Sequence, residues 1–117
     1  MRSVEFVGQA RDDLRAFPPN ARQNVGHALY LLQNGRTPET VKPLHGFGTG
    51  VQEIRARGEG GTYRAVYTVA LPSAIYVLHA FQKKSPKGVK MARVDQELIR
   101  RRLAWALQLD AEARRGE

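Results

Sequence analysis

The sequence predicts an α+β domain in the order β-α-α-β-β-β-α. Three observations carry this: two short stretches with apolar residues at helical spacing near the start, three strand-like runs joined by tight turns, and one long helical stretch at the end. Val4-Glu5-Phe6-Val7 alternates and reads as a first strand. Ala10, Leu14 and Phe17 recur at helical spacing and are halted by Pro18-Pro19. Asn20 suits the N-cap of a second helix, whose apolar face carries Val25, Ala28, Leu29 and Leu32, and Gly35 stands where a C-terminal glycine is expected. The two helices therefore form a hairpin with a Pro-Pro-Asn corner.

Residues 35–50 are rich in glycine and proline and read as a connecting loop. Val51–Arg57 alternates, with Ile54 and Ala56 on one side and Glu53, Arg55 and Arg57 on the other. Gly58-Glu59-Gly60-Gly61 is a hairpin turn, and Thr62–Ala70 is rich in Tyr and Val. After the turn Leu71-Pro72-Ser73, Ala74–Gln82 is apolar on nearly both sides, as a central strand covered on both faces would be. The short turns imply an antiparallel meander, with the helical hairpin on one face. A last helix is expected from about Lys90 towards Arg114. Met91, Val94, Leu98, Trp105 and Leu109 fall near one stripe of it and Ile99, Leu103 and Ala106 lie beside it, with a frayed end over Ala111–Glu117.

The 117 residues are read as one domain, and 42% apolar content is enough for one core. The absence of cysteine rules out disulfides, thiolate zinc sites and cysteine nucleophiles. No apolar stretch is long enough to span a membrane, and the opening Met1–Val7 carries an acid and is too short for a signal peptide. A soluble, cytoplasmic protein is expected. Its net charge is +8, and the stretch from Lys83 to Arg102 concentrates it: Lys83, Lys84, Lys87, Lys90, Arg93, Arg100, Arg101 and Arg102 face only Asp95 and Glu97. Such a field attracts polyanions; nucleic acid, an acidic protein and an anionic membrane surface all fit it.

The stretch Lys42-Pro43-Leu44-His45-Gly46-Phe47-Gly48-Thr49-Gly50-Val51-Gln52-Glu53-Ile54-Arg55 resembles the loop-plus-strand opening of the RelE/ParE toxins. Thr62-Tyr63-Arg64-Ala65-Val66-Tyr67 is similar to their Tyr-Arg strand, and Ile75–Lys84 to the signature of the phage-type, HigB-like branch. The resemblance covers roughly residues 3–107. It implies the toxin of a type II toxin–antitoxin pair, neutralised by an antitoxin of helix-turn-helix type. HigB-like and RelE-like members cleave mRNA on the ribosome, without a cofactor or metal. ParE-like members poison DNA gyrase instead; a binding module that only grips RNA or its partner is a third reading.

RNA cleavage of this kind needs basic groups aimed at a developing phosphorane and groups that move protons. Arg64 matches the strand arginine of the family, and its guanidinium fork suits two phosphate oxygens. Its ordinary alternative is an exposed strand arginine paired with Glu53 or Glu59. Lys83 and Lys84 close the strand where the resemblance places a basic pair, Lys84 as a phosphate clamp; lysines also blunt sheet edges. His79 suits a general acid or base, or equally a hydrogen-bonded core histidine. Arg55 and Arg57 read as phosphate contacts or solvated side chains. Tyr63 offers a ring for base stacking, whereas Tyr67 reads as core. Lys87 and Lys90 read as RNA contacts or solvated surface, and Arg100-Arg101-Arg102 as solvated helix surface or a ribosomal RNA contact. His45 lies in a loop from which it can reach a strand site. Two departures stand out. No tyrosine follows Tyr76, where many RelE-like nucleases place a proton-transfer tyrosine in the last helix, and Glu53 stands where some relatives carry lysine.

Overall fold

A computed structural model describes residues 1–48, 50–83 and 91–116. Its elements are β1 (Val4–Phe6), α1 (Ala10–Arg15), α2 (Pro19–Gln33), β2 (Val41–Pro43), β3 (Val51–Gly58), β4 (Gly61–Thr68), β5 (Ile75–Gln82) and α3 (Arg93–Arg115). The α+β order expected from the sequence is present, with one addition. The Gly/Pro-rich connection contains the three-residue strand β2, which pairs antiparallel with β3. So short a strand, with a proline at its end, leaves almost no periodicity to read.

The sheet order is β1-β5-β4-β3-β2. All neighbours are antiparallel except β1, which runs parallel to β5 at one edge. The centre of the sheet is therefore β4, and β5 is second from the edge. Its apolar run has the expected cause all the same, because both faces of β5 are covered and Ile75 through Ala80 are buried.

The helix ends follow backbone chemistry. α2 begins one residue before Asn20, with Pro19 in the first turn and Pro18 at the cap position. A proline there loses no hydrogen bond, since the first-turn N–H groups have no partner within the helix. At the other end Gly35 takes φ +78°, so that its N–H reaches the carbonyl of Leu32 and the N–H of Arg36 reaches that of Leu31. This left-handed turn satisfies the last carbonyls, and a side chain at residue 35 would strain it. The last helix runs regularly to Arg115, beyond the point at which fraying is expected.

Two cores lie on opposite faces of the sheet. On one, α1 and α2 cover Ile54, Ala56, Tyr63, Ala65, Tyr67, Ile75 and Val77. On the other, α3 covers Val51, Val66, Tyr76 and Leu78 with Ile99 and Ala106. The buried face of α3 is Ile99, Arg102, Ala106 and Asp110; Ile99 and Ala106 come from the row expected beside the stripe, and the stripe residues Met91 and Leu109 pack against the same core half-buried. Val94 and Trp105 are exposed, because two charged residues take buried positions that apolar spacing alone would not assign to them.

Arg102 owes its burial to a break in β5. Val66 pairs with His79 and Tyr67 with Val77, which leaves Leu78 unpaired in a bulge. Arg102 Nη1 donates to the Leu78 carbonyl at 2.9 Å and to Asp13 Oδ2 of α1 at 3.1 Å. The bulge also changes the alternation of β5. Ile75 and Val77 point to the α1/α2 core, whereas Phe81 packs with the α3 core, so His79 does not continue the Ile75–Val77 face.

Candidate nucleic-acid interface

The antiparallel register of β3 and β4 sets Arg55 directly opposite Arg64. Like charges opposite one another destabilise a sheet. Glu53, two residues along β3 on the same side, offsets this: its Oε1 accepts from Arg55 Nε at 2.7 Å, and its Oε2 lies 3.5 Å from Arg64 Nη1. The sequence left Arg64 a pairing with Glu53 or Glu59, and Glu53 is the neighbour it has, although at 3.5 Å this is a loose ion pair. The Arg64 side chain is 11% exposed and that of Glu53 3%. Both Glu53 Oε2 and Arg64 Nε are buried without a hydrogen bond. Among the described residues the Arg64 guanidinium makes no hydrogen bond at all, an unusual state for a largely buried group with five donors.

Arg64 lines an open hollow of about 330 Å³ between the loop after β2 and the start of α3, together with Leu44, His45, Phe47, Gln96 and Arg100. The Arg100 guanidinium lies over the Phe47 ring, 4.9 Å from its centroid. Arg55, the register partner of Arg64, lines a second hollow of about 500 Å³ with Arg57, Thr62, Lys83 and His27. Arg57 and Thr62 are register partners, and the N–H of Lys83 donates to the Thr62 carbonyl, so these three residues follow one another across β3, β4 and β5. Arg64 and Lys83 thus stand in neighbouring hollows, not a common one, linked through the Arg55–Arg64 pair.

The remaining expected site residues are distributed differently. His79 is buried, with Nε2 2.8 Å from Asp95 Oδ1 and Nδ1 3.7 Å from Asp13 Oδ2, and it stacks on Phe81. That is the core-histidine arrangement: it joins β5 to α3 and α1. Tyr63 is buried against Phe17 on the opposite side of the sheet from Arg64, and its hydroxyl donates to the Glu59 carbonyl. Its ring is therefore turned away from the arginines. Tyr67 is core, as expected; its hydroxyl donates to Gln52 Oε1, and burial raises its pKa well above the ordinary phenol range. Lys84, Lys87 and Lys90 lie outside the described residues. Of the arginine run, only Arg101 is simply solvated, since Arg102 is buried and Arg100 stacks on Phe47. Gln96 was not singled out in the sequence; a lone glutamine in the first turn of a helix gives no signal until the loop carrying Phe47 is folded against it.

The architecture is that of an α+β protein with a five-stranded sheet, a helical hairpin on one face, α3 on the other, and arginine-lined hollows beside α2 and beside α3. The same fold is found in the E. coli toxin RelE, solved in the free state as a double arginine-to-alanine mutant. The TM-score is 0.58 at 17% identity, over 86% of this chain and 96% of that one. The RelBE2 toxin–antitoxin complex from Mycobacterium tuberculosis also matches, with a TM-score of 0.49 and 26% identity over 70% of this chain and 98% of that one. No curated protein sequence matches. The family model described as phage derived protein Gp49-like matches residues 12–104, and the chain belongs to that family. The phage-type, RelE-like resemblance drawn from Lys42–Lys84 is thereby borne out.

Proposed function

We propose that this chain is the toxin of a toxin–antitoxin pair and acts as a ribosome-dependent endoribonuclease. The observation that carries the reading is Arg64: a guanidinium removed from water, without a hydrogen bond among the described residues, at the wall of an open cationic hollow. Such a donor set suits the developing charge of a phosphorane better than a solvated one does, because it is already oriented and little water competes for it. In the reaction the ribose 2′-oxygen bonds to phosphorus, the bond from phosphorus to the 5′-oxygen breaks, and a 2′,3′-cyclic phosphate forms. One group takes the 2′ proton and another supplies a proton to the leaving 5′-oxygen. That chemistry needs no metal. Arg64 and Arg100 are assigned to the phosphate, and His45, exposed in the loop of the same hollow, to proton transfer. His79, buried with Nε2 2.8 Å from Asp95 Oδ1 and Nδ1 without a hydrogen bond among the described residues, is assigned to holding β5 against α3 instead. Arg55, Arg57 and Lys83 extend the cationic track for neighbouring phosphates, and Lys84, Lys87 and Lys90 continue it in sequence. A neutralising antitoxin, of helix-turn-helix type and active with the toxin in the cytoplasm, covers this face.

The test is to incubate the purified protein with translating ribosomes and map new 5′ ends on the message. Cuts are expected, and Arg64→Ala should reduce their rate by roughly 100- to 1,000-fold. Intact message with blocked gyrase supercoiling would replace this reading with that of a gyrase poison. Intact message with salt-sensitive RNA binding would reduce it to a binding module.

A further inference from the structure

We propose that the hollow beside Arg64 holds a single RNA base, and that Gln96 selects a base carrying an exocyclic amino group. This rests on the RNA-directed reading above and adds a specificity determinant to it.

The size of the hollow limits the occupant. At about 330 Å³ it stands at the lower end of small-molecule sites, roughly 300–1,000 Å³, which suits one nucleotide and not a duplex. Its walls differ in chemistry. Leu44, Phe47 and Met91 supply apolar surface, with Arg100 laid over the Phe47 ring. Splayed single-stranded bases stack on such aromatic rings and guanidinium planes. Arg64 stands at the strand side of the same space, positioned for the phosphate attached to a base held there.

Gln96 supplies direction. Its Nε2 donates to the Met91 carbonyl at 2.6 Å, which fixes the amide plane and leaves Oε1 as an acceptor. Among the described residues nothing donates to that oxygen. A fixed acceptor in a partly desolvated hollow favours an N–H₂ group and opposes a carbonyl. Cytosine presents an amino group at its 4-position, where uracil presents an oxygen. The two rings are nearly the same size, so the difference between them isolates the hydrogen bond from stacking and from phosphate contacts.

The experiment is equilibrium binding of fluorescent five-nucleotide RNAs, all-cytidine and all-uridine, to the full chain at low ionic strength. The cytidine strand should bind about tenfold more tightly, the effect of one hydrogen bond gained and one oxygen clash avoided. Gln96→Leu should erase the difference by bringing the cytidine affinity down to that of uridine. Equal, salt-dependent binding of both strands by the unsubstituted chain overturns base selection and leaves the phosphate assignments of Arg64 and Arg55 standing. A preference that survives Gln96→Leu also overturns it. Binding of neither strand overturns this proposal, whereas the reading on which it rests stands or falls on cleavage of message on translating ribosomes.

Discussion

Glu53 and Arg64 lie diagonally across β3 and β4 with 3.5 Å between carboxylate oxygen and guanidinium nitrogen, and each keeps one buried polar atom without a hydrogen bond. The pair is held near the point of pairing but not fully satisfied. Burial makes this expensive, and the register of the two strands gives the residues little room to move apart. Glu53→Gln removes the charge that separates Arg55 from Arg64 while keeping the volume. It should lower unfolding free energy by about 1–3 kcal/mol in urea titrations. Added salt should restore part of the loss, because repulsion between Arg55 and Arg64 is then screened.

Arg102 is the most demanding single residue of α3. It is the partner of both the Leu78 carbonyl and Asp13, in a place where α1, β5 and α3 meet. Arg102→Met keeps most of the aliphatic length but strands the carboxylate and the carbonyl, and should cost about 3 kcal/mol in the same titrations. Arg102→Lys should recover only part of this, since one ammonium cannot reproduce the planar fork.

Asp110 gives the protein an acid-sensitive joint. Its carboxylate accepts from the hydroxyl and the N–H of Ser73, and Arg114 lies 3.0 Å away. The Ser73 hydroxyl bond is the main reason its pKa lies below the ordinary carboxylate value; burial opposes this, and the Ser73 N–H and Arg114 add to it. A folded-state pKa below the unfolded one contributes stability that is present above the unfolded value and is lost as pH falls through the folded one. Denaturation midpoints should therefore drop as pH falls below about 4. Asp110→Asn should flatten that acid limb while lowering stability at neutral pH.

Tyr67 provides the alkaline counterpart. Burial raises its pKa, so the folded state keeps the proton longer than the unfolded chain does. The sign is the reverse of that for Asp110: its contribution is complete below the ordinary phenol range near pH 10 and is lost as pH rises through the folded value. In an ultraviolet titration the Tyr67 phenolate should be absent while the fold persists and emerge with unfolding. Tyr67→Phe should remove that late component; early, reversible ionisation of Tyr67 in the folded protein would contradict its burial.

Most of the fold was legible because its determinants are local or periodic. Pro18-Pro19, Gly35, the glycines around Glu59 and the alternation of Val51–Arg57 each fix a piece of backbone by themselves. What could not be read depends on contacts between distant segments. The bulge at Leu78 is one example, since nothing local reveals that Arg102, 24 residues on, will cap its carbonyl. The buried side of α3 is another: apolar spacing marked Ile99 and Ala106 but also Val94 and Trp105, which are exposed, and it could not assign Arg102 and Asp110 inward. Part of the candidate site was visible, namely Arg64, Arg55 and a loop histidine able to reach a strand. That Tyr63 turns to the other face follows from alternation along β4, which sets Tyr63 with Ala65 and Tyr67 and Arg64 with Val66. The part played by Arg100, Phe47 and Gln96 required the loop and α3 to be folded together.

α3 is fastened to the rest of the chain at three places by directional bonds: Asp95 to His79, Arg102 to Leu78 and Asp110 to Ser73. Grease alone would let a helix roll or slide on a sheet with little penalty; bonds of fixed length and angle, distributed along its axis, do not. Gln96 and Arg100 ride on the stretch between the first two fastenings. The wall they form is therefore rigid in advance, and an incoming strand would meet a ready-made mould with little left to freeze.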